Sequence, residues 1–290
     1  MKVSVCIPHY GSETFLDRAL ESVAAQTLQP YEVVVSLDSD VSDTLQSKFR
    51  TRMAIRWLRN ASPGLPSNWN NVLSAAAGDF IVLLHSDDVL EDSYLQVISA
   101  LIQIKPHSHA WFCGAEEIDS REEPLGSLSA FVKKCLMPPG RVFELKGDEG
   151  LASLLRGCFI YCPTVCYDRD MLQRLRFDER WSMVVDLDLY HRVLTSGYSI
   201  TGTTRLAYKY RRHKRSATYF KSRDLTRYEE EWDLYQEIED TLSDKDFRSS
   251  KRVARWKVIL WLHLASEVVI ASIRFDFTRT RKLISFAFSR

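Results

Sequence analysis

The chain reads as an α/β protein built on a doubly wound, mostly parallel sheet. Three observations predict this: short apolar runs of strand length alternate with segments of helical period, the runs are apolar on both faces, and acidic residues collect where the runs end. With 290 residues and 45% hydrophobic composition, the chain can bury a large core.

Residues 3–7 (VSVCI) alternate little and are rich in β-branched side chains, which suits a strand buried on both faces. From 13 to 27, Phe15, Leu16, Ala19, Leu20, Val23 and Ala24 recur at helical spacing. Residues 31–37 (YEVVVSL) and 54–58 (AIRWL) read as the second and third strands, with a polar helical segment between them. A helix is expected over 65–77, stopped by Gly78, then a fourth strand over 80–84 (FIVLL). The next helix buries Tyr94, Leu95, Ile98, Leu101 and Ile102. After 110–113 (AWFC) the alternation weakens, and the polar, proline-containing stretch 120–140 reads as a loop-rich insertion. Pattern returns with a helix near 148–155, a strand near 164–167, a helix from about 186 to 196, a strand near 206–210 and a charged helix over 223–242.

Bulk properties exclude several classes. Lys plus Arg number 39 against 38 Asp plus Glu, so no overall charge argues for nucleic acid. Cys6, Cys113, Cys135, Cys158, Cys162 and Cys166 form no CxxC pair and have no His at ligand spacing, so buried, reduced thiols are expected, with 158–166 (CFIYCPTVC) reading as strand. The opening MKVSVCIPHY enters a strand directly rather than resembling a signal peptide, and no stretch reaches about 20 apolar residues. A cytoplasmic protein, peripheral on the membrane at most, is the expectation.

In doubly wound sheets, ligands gather at the carboxyl ends of strands. Asp38 follows the second strand there, and Asp87 and Asp88 follow the fourth. A carboxylate pair at a strand end suits Mn²⁺ or Mg²⁺, hard cations that take one or two carboxylates and let phosphate oxygens complete the shell. Asp is also common in turns and caps, so the pair by itself is a weak signal.

Five segments in order strengthen it: VSVCIPHYGSETFLDRALESVAAQT, EVVVSLDSDVSD, NASPGLPSNWNNVLSAAAGDFIVLLHSDD, VVDLDLYHRVLTSGY and YRRHKRSAT. Together they closely resemble the family 2 inverting glycosyltransferases of GT-A fold, over roughly residues 2 to 215. The resemblance implies a catalytic domain over 1–215, with a nucleotide-sugar-binding half (1–113) and an acceptor-side half (114–215), followed by a C-terminal helical region (216–290). It implies transfer of a sugar from a nucleoside-diphosphate donor to a hydroxyl of a glycan or lipid-linked glycan acceptor, with Mn²⁺ or Mg²⁺ as cofactor. Carried over by position, Pro8 and Tyr10 wall the donor nucleotide, Asp38 hydrogen-bonds the base, and Asn68 and Asn70 line the donor pocket. Asp87 lies on the ribose and metal side, Asp88 is the direct metal ligand, Asp186 is the general base, and His213 approaches the metal or diphosphate.

Each residue also has a plainer role available. Tyr10 could be a packed aromatic, Asp38 a turn residue, Trp69 core, and His213 part of a solvated basic loop with Arg211, Arg212, Lys214 and Arg215. Asp186 could cap a helix, and Asp188 pairs with Arg192 four residues on, on the solvent face. The chemistry asks for one carboxylate that accepts the hydroxyl proton as the oxygen attacks opposite the diphosphate, and the motif register favours Asp186 over Asp188. Gly11, Leu37 and Val185 depart from the family's usual Asn, acid and Glu, which leaves the donor base open; absence of the Gln-x-x-Arg-Trp signature implies one sugar per encounter. A nucleotidyltransferase would want a Gly-rich basic loop that PHYGSETF lacks, and a non-catalytic sugar-nucleotide binder could keep Asp38 without Asp186.

Residues 249–290 hold nine Lys or Arg and two acids, a local charge of +7, beside Trp256, Ile259, Trp261, Leu262, Val269, Ile273 and Phe275. A basic helix with tryptophan at the edge of an apolar face suits an anionic membrane interface. Packing on the catalytic domain or dimerisation are the other uses of such a face.

Overall fold

The computed structural model describes residues 1–62, 64–213 and 224–289. The first half runs β1 (Val3–His9), α1 (Glu13–Ala24), β2 (Glu32–Leu37), α2 (Asp43–Phe49), β3 (Ile55–Arg59), α3 (Leu65–Ala75) and β4 (Phe80–Leu83). β1 sits between β2 and β4, with β3 outside β2, and all four are parallel. Side chains alternate between two buried faces: Val5, Ile7, Val33, Val35 and Val82 face the core under α1, while Cys6, Val34, Ile81 and Leu83 face the opposite core. α1 meets the first core through Leu16, Ala19, Leu20 and Val23, the helical stripe expected from sequence.

The second half runs β5 (Val89–Leu90), α4 (Tyr94–Ile104), β6 (Ala110–Ile118), α5 (Leu128–Leu136), β7 (Val142–Lys146) and α6 (Gly147–Leu155). A 3₁₀ turn (Cys162–Thr164), β8 (Val165–Asp168), α7 (Arg169–Leu175), α8 (Val185–Thr195) and β9 (Ser199–Arg211) follow. Among the described residues the sheet has nine strands, ordered β3-β2-β1-β4-β8-β6-β9-β5, with β7 also on β9. Beyond β4 it is mixed: β8 is antiparallel to β4 and β6, whereas β9 is parallel to β6. β9 is 13 residues long; its start pairs with β7 and its end, Tyr208 and Lys209, pairs with β5. That last pairing brings the end of β9 against the turn after β4.

Several expectations are corrected. Residues 120–140 contain α5, capped by Ser127, whose hydroxyl accepts from Ala130 N at 3.0 Å. α5 buries no side chain completely: Leu128, Phe131, Val132 and Leu136 recur at helical spacing, but the first three are exposed and Leu136 alone of them packs against the main core. The run 158–166 is mostly irregular, with strand only from Val165. All six cysteines are free, but Cys135 is exposed on α5. Gly78 does not end α3, which stops at Ala75. It instead abuts β1, where an added Cβ would stand 2.8 Å from Lys2 O and 2.9 Å from Ser4 N.

The C-terminal region folds as α9 (Thr226–Thr241), α10 (Arg248–Trp256), α11 (Val258–Ile273) and α12 (Phe277–Ser289). Arg223, the expected start of the charged helix, lies outside the described residues. Taken as one run, Arg248–Ile273 is long and apolar enough to cross a membrane, with mean hydropathy 1.5, contrary to the sequence expectation. The run is broken at Lys257, whose left-handed backbone (φ +48°) separates α10 from α11.

Gly78→Ala should destabilise the chain by about 1–3 kcal/mol, because the methyl group meets backbone rather than a yielding side chain. Urea unfolding would measure this, and an unchanged midpoint would show that β1 and β4 can separate there freely.

Candidate active site

Three expected residues, Asp87, Asp88 and His213, meet where β4 ends. Asp88 is 1% exposed, and its two oxygens accept hydrogen bonds from the Tyr208 hydroxyl (2.9 Å) and from Arg211 N (2.7 Å). Burial and the charge of Asp87 push the Asp88 carboxyl well above the usual range. Asp87 points the other way, and its Oδ2 lies 2.9 Å from His213 Nε2. Burial opposes ionisation of Asp87, but the His213 hydrogen bond and the two neighbouring imidazoles hold it below the ordinary carboxylate range. His213 is therefore on the cluster; of its basic-loop companions, Lys214 and Arg215 lie outside the described residues, while Arg211 is buried and Arg212 is held by an acid. Arg211 donates to Asp87 O (2.6 Å), Asp119 O and Glu122.

The sequence reading missed His85, which completes the cluster. Ligand atoms of His85, Asp87 and Asp88 lie within 4.8 Å of one another. His85 Nε2 is buried with no hydrogen-bond partner, and burial holds the imidazole below its usual pKa, as the neutral base able to donate a lone pair to a cation. Two carboxylates and imidazole nitrogen form a donor set that fits a divalent ion such as Mn²⁺. Each Asp88 oxygen accepts one hydrogen bond from β9, and the Asp88 carboxylate also lies in the cluster with His85 and Asp87.

Pro8, Tyr10 and Asp38 lie at the ends of β1 and β2. Tyr10 is 79% exposed, so it is not a packed aromatic, while Pro8 is buried in β1. Asp38 accepts from Asn60 Nδ2 (2.7 Å) and Gly64 N (3.1 Å), clamping the loop that leads into α3. Asn68 donates to His9 O (3.3 Å) and keeps a buried, unpartnered Oδ1. Asn70 does not line a pocket; its amide bonds Phe177 N, Phe177 O and Glu179, so it holds the loop before α8. Trp69 packs in the core against Phe177 and His85. His9, also missed, is fully buried with both ring nitrogens unpartnered, and burial pushes it down to about 4 despite the charges of Glu13, Asp87 and Asp38.

Asp186 is half-buried in the first turn of α8, one residue inside the helix rather than at its cap. Burial raises its pKa, opposed chiefly by the Lys133 charge from α5. Asp188 pairs with Arg192 as expected, but its carboxylate is buried rather than on the solvent face, and Arg192 extends to Leu175 O and Arg176 O. Contacts link the two acid sites: His213 follows Arg212, which reaches Glu117 and Ser129 on α5, one turn from Lys133. A cleft lined by Gly64, Pro66 and Ser67 on one side and Glu179, Trp181 and Ser182 on the other runs beside the site; its lining includes none of the three aspartates.

Glu230 of α9 is the third residue the sequence hid. Its carboxylate accepts from Ser182 N and Oγ, Met183 N (2.7 Å) and Val184 N (3.4 Å), capping the amino end of α8 from another helix. No spacing in sequence could announce a cap supplied 48 residues away.

The sequence model for "Glycosyl transferase family 2" matches residues 4–168, more than half of the chain. The chain belongs to glycosyltransferase family 2. This glycosyltransferase is 26% identical over 235 residues to an uncharacterised glycosyltransferase of Rickettsia prowazekii, covering 79% of this chain and 70% of that one. It is 24% identical over 227 residues to WfaP of Escherichia coli, a UDP-Glc:alpha-D-GlcNAc-diphosphoundecaprenol beta-1,3-glucosyltransferase, covering 78% and 83% of the two chains. Its fold is shared with the mannosyltransferase PcManGT of Pyrobaculum calidifontis, solved with GDP-Man and Mn²⁺: TM-score 0.61, 16% identity, 99% of this chain and 86% of that one. The GT-A architecture expected from the five segments is thus the one observed, and the His85, Asp87 and Asp88 cluster of this family 2 glycosyltransferase has the composition to hold a divalent cation.

Glu230→Ala should cost about 0.5–2 kcal/mol, the range for losing a helix cap. Transfer should fall further than nucleotide binding does, since α8 carries Asp186 and not the donor wall; thermal melting and transfer assays on the same preparation would check both. Equal losses in binding and transfer would deny the cap any selective hold on α8.

Proposed function

We propose that this enzyme moves one sugar per encounter from a nucleoside-diphosphate sugar to a hydroxyl of a glycan or lipid-linked glycan, inverting the anomeric carbon. The observation that carries the reading is a pair of acidic sites with opposite environments: Asp87 is held ionised beside two imidazoles, and Asp186 is raised by burial. Carboxylates whose environments push them apart take different jobs.

Asp87 and Asp88, with His85 and His213, would hold Mn²⁺ or Mg²⁺. The cation supplies charge neutralisation for the departing diphosphate. Tyr10, Pro8, Asp38 and Asn68 form the donor wall, with Asp38 accepting from the base through lone pairs not used on Asn60 and Gly64. Asp186 takes the proton from the acceptor hydroxyl as its oxygen attacks opposite the diphosphate. A raised pKa makes that carboxylate a better base near neutrality. In-line displacement inverts the centre without a covalent enzyme intermediate. Residues 249–290 hold the enzyme on an anionic membrane surface at the cytoplasmic face, where a lipid-linked acceptor presents its sugar.

Nucleoside-diphosphate release from donor and Mn²⁺ should be slow in the wild type and absent in Asp87→Ala. Asp186→Asn should retain the thermal shift with nucleoside diphosphate and Mn²⁺ while transfer drops by about 10²–10⁴-fold. Transfer that survives in Asp186→Asn would remove this residue from the mechanism. Because the base acts only when ionised, activity should fall on acidification, with its midpoint above the ordinary Asp value of 3.8. A profile flat down to that value would contradict the burial of Asp186.

A further inference from the structure

The hairpin of α11 and α12 exposes apolar side chains that its own fold does not use. α11 buries only Leu260, Leu264 and Ala271, which meet Tyr228 of α9 and Leu283 and Phe286 of α12 in a small separate core. The tip between the two helices turns in a Schellman arrangement: Asp276 N bonds Ala271 O (2.9 Å) and Phe275 N bonds Ser272 O (3.0 Å). That turn puts Phe275 in the left-handed region, φ +57°, where glycine is the usual residue. Phe275 is nonetheless 76% exposed, and the one ring it meets edge-on, Phe277 with centroids 6.3 Å apart, is itself exposed, so the strain is not offset by burial. Ile273 and Phe277 flank it at 71% and 72% exposure. The tip is ordered, since Asp276 caps α12 by accepting from Arg279 N (3.1 Å).

Charge selects the occupant. Arg274, Arg281 and Lys282 are exposed around the apolar tip, in a segment of net charge +7. A second copy meeting this face would bring like charges together, whereas an anionic bilayer offers headgroups to the cations and an acyl boundary to the rings. Spanning is disfavoured by geometry: α11 has 16 residues, roughly 24 Å at 1.5 Å per residue, against a hydrocarbon core of about 30 Å. The break at Lys257 is pinned, with its buried ammonium 3.6 Å from Glu239.

We propose that the α11–α12 tip, residues 273–277, is a foot that inserts into the interfacial region of an anionic bilayer. This rests on the membrane reading of residues 249–290 and names the element that makes the contact. The full chain should float with vesicles containing phosphatidylglycerol and much less with pure phosphatidylcholine. Phe275→Gly relieves the left-handed strain, so its melting temperature should equal or exceed that of the wild type while the floated fraction drops. Phe275→Gly with Phe277→Ser should cut vesicle binding by at least about tenfold, with nucleotide-sugar hydrolysis unchanged. Full binding by the double variant would overturn the tip as the inserting element while leaving membrane contact intact. A wild type that stays at the bottom of the gradient, or that light scattering shows as a dimer broken by the double variant, would overturn the bilayer as the occupant; neither result touches the chemistry at Asp87.

Discussion

The Asp88 carboxylate ties the turn after β4 to the end of β9, and the arrangement of the site depends on that tie. By accepting from Tyr208 and Arg211, it fixes a strand that arrives from more than a hundred residues away. The same tie brings His213, two residues beyond Arg211, onto Asp87. A buried carboxylate without those donors would be costly, so the site's geometry and the stability of the sheet's edge are one constraint.

From that anchor, the chemistry separates into two environments. At the end of β4, the His213 hydrogen bond holds the Asp87 carboxyl down against its burial, and Asp38 draws in the loop before α3. At α8, burial biases Asp186 toward the neutral form while Lys133 limits the shift. The two sides are coupled mechanically through Asn70, which grips the 177–179 loop from α3, and through Glu230, which caps α8 from α9. The C-terminal helices thus contribute to the catalytic half as well as presenting a basic apolar face of their own.

Period and composition determined much of this protein. Strands buried on both faces show as unbroken β-branched runs, and amphipathic helices such as α1 show as stripes, because both patterns are set by local burial against one core. Acidic residues at strand ends pointed to Asp87 and Asp88, and the order of the five segments pointed to His213, which the fold brings onto Asp87. What stayed hidden was decided by contacts distant in sequence. The apolar stripe of α5 stays largely exposed, Gly78 is small because β1 lies against it, and the amide of Asn70 is spent on Phe177 and Glu179. That His85 joins the two adjacent aspartates shows only in the fold. A sequence lists hydrogen-bonding groups, but only the folded chain decides which of them are already spent on one another.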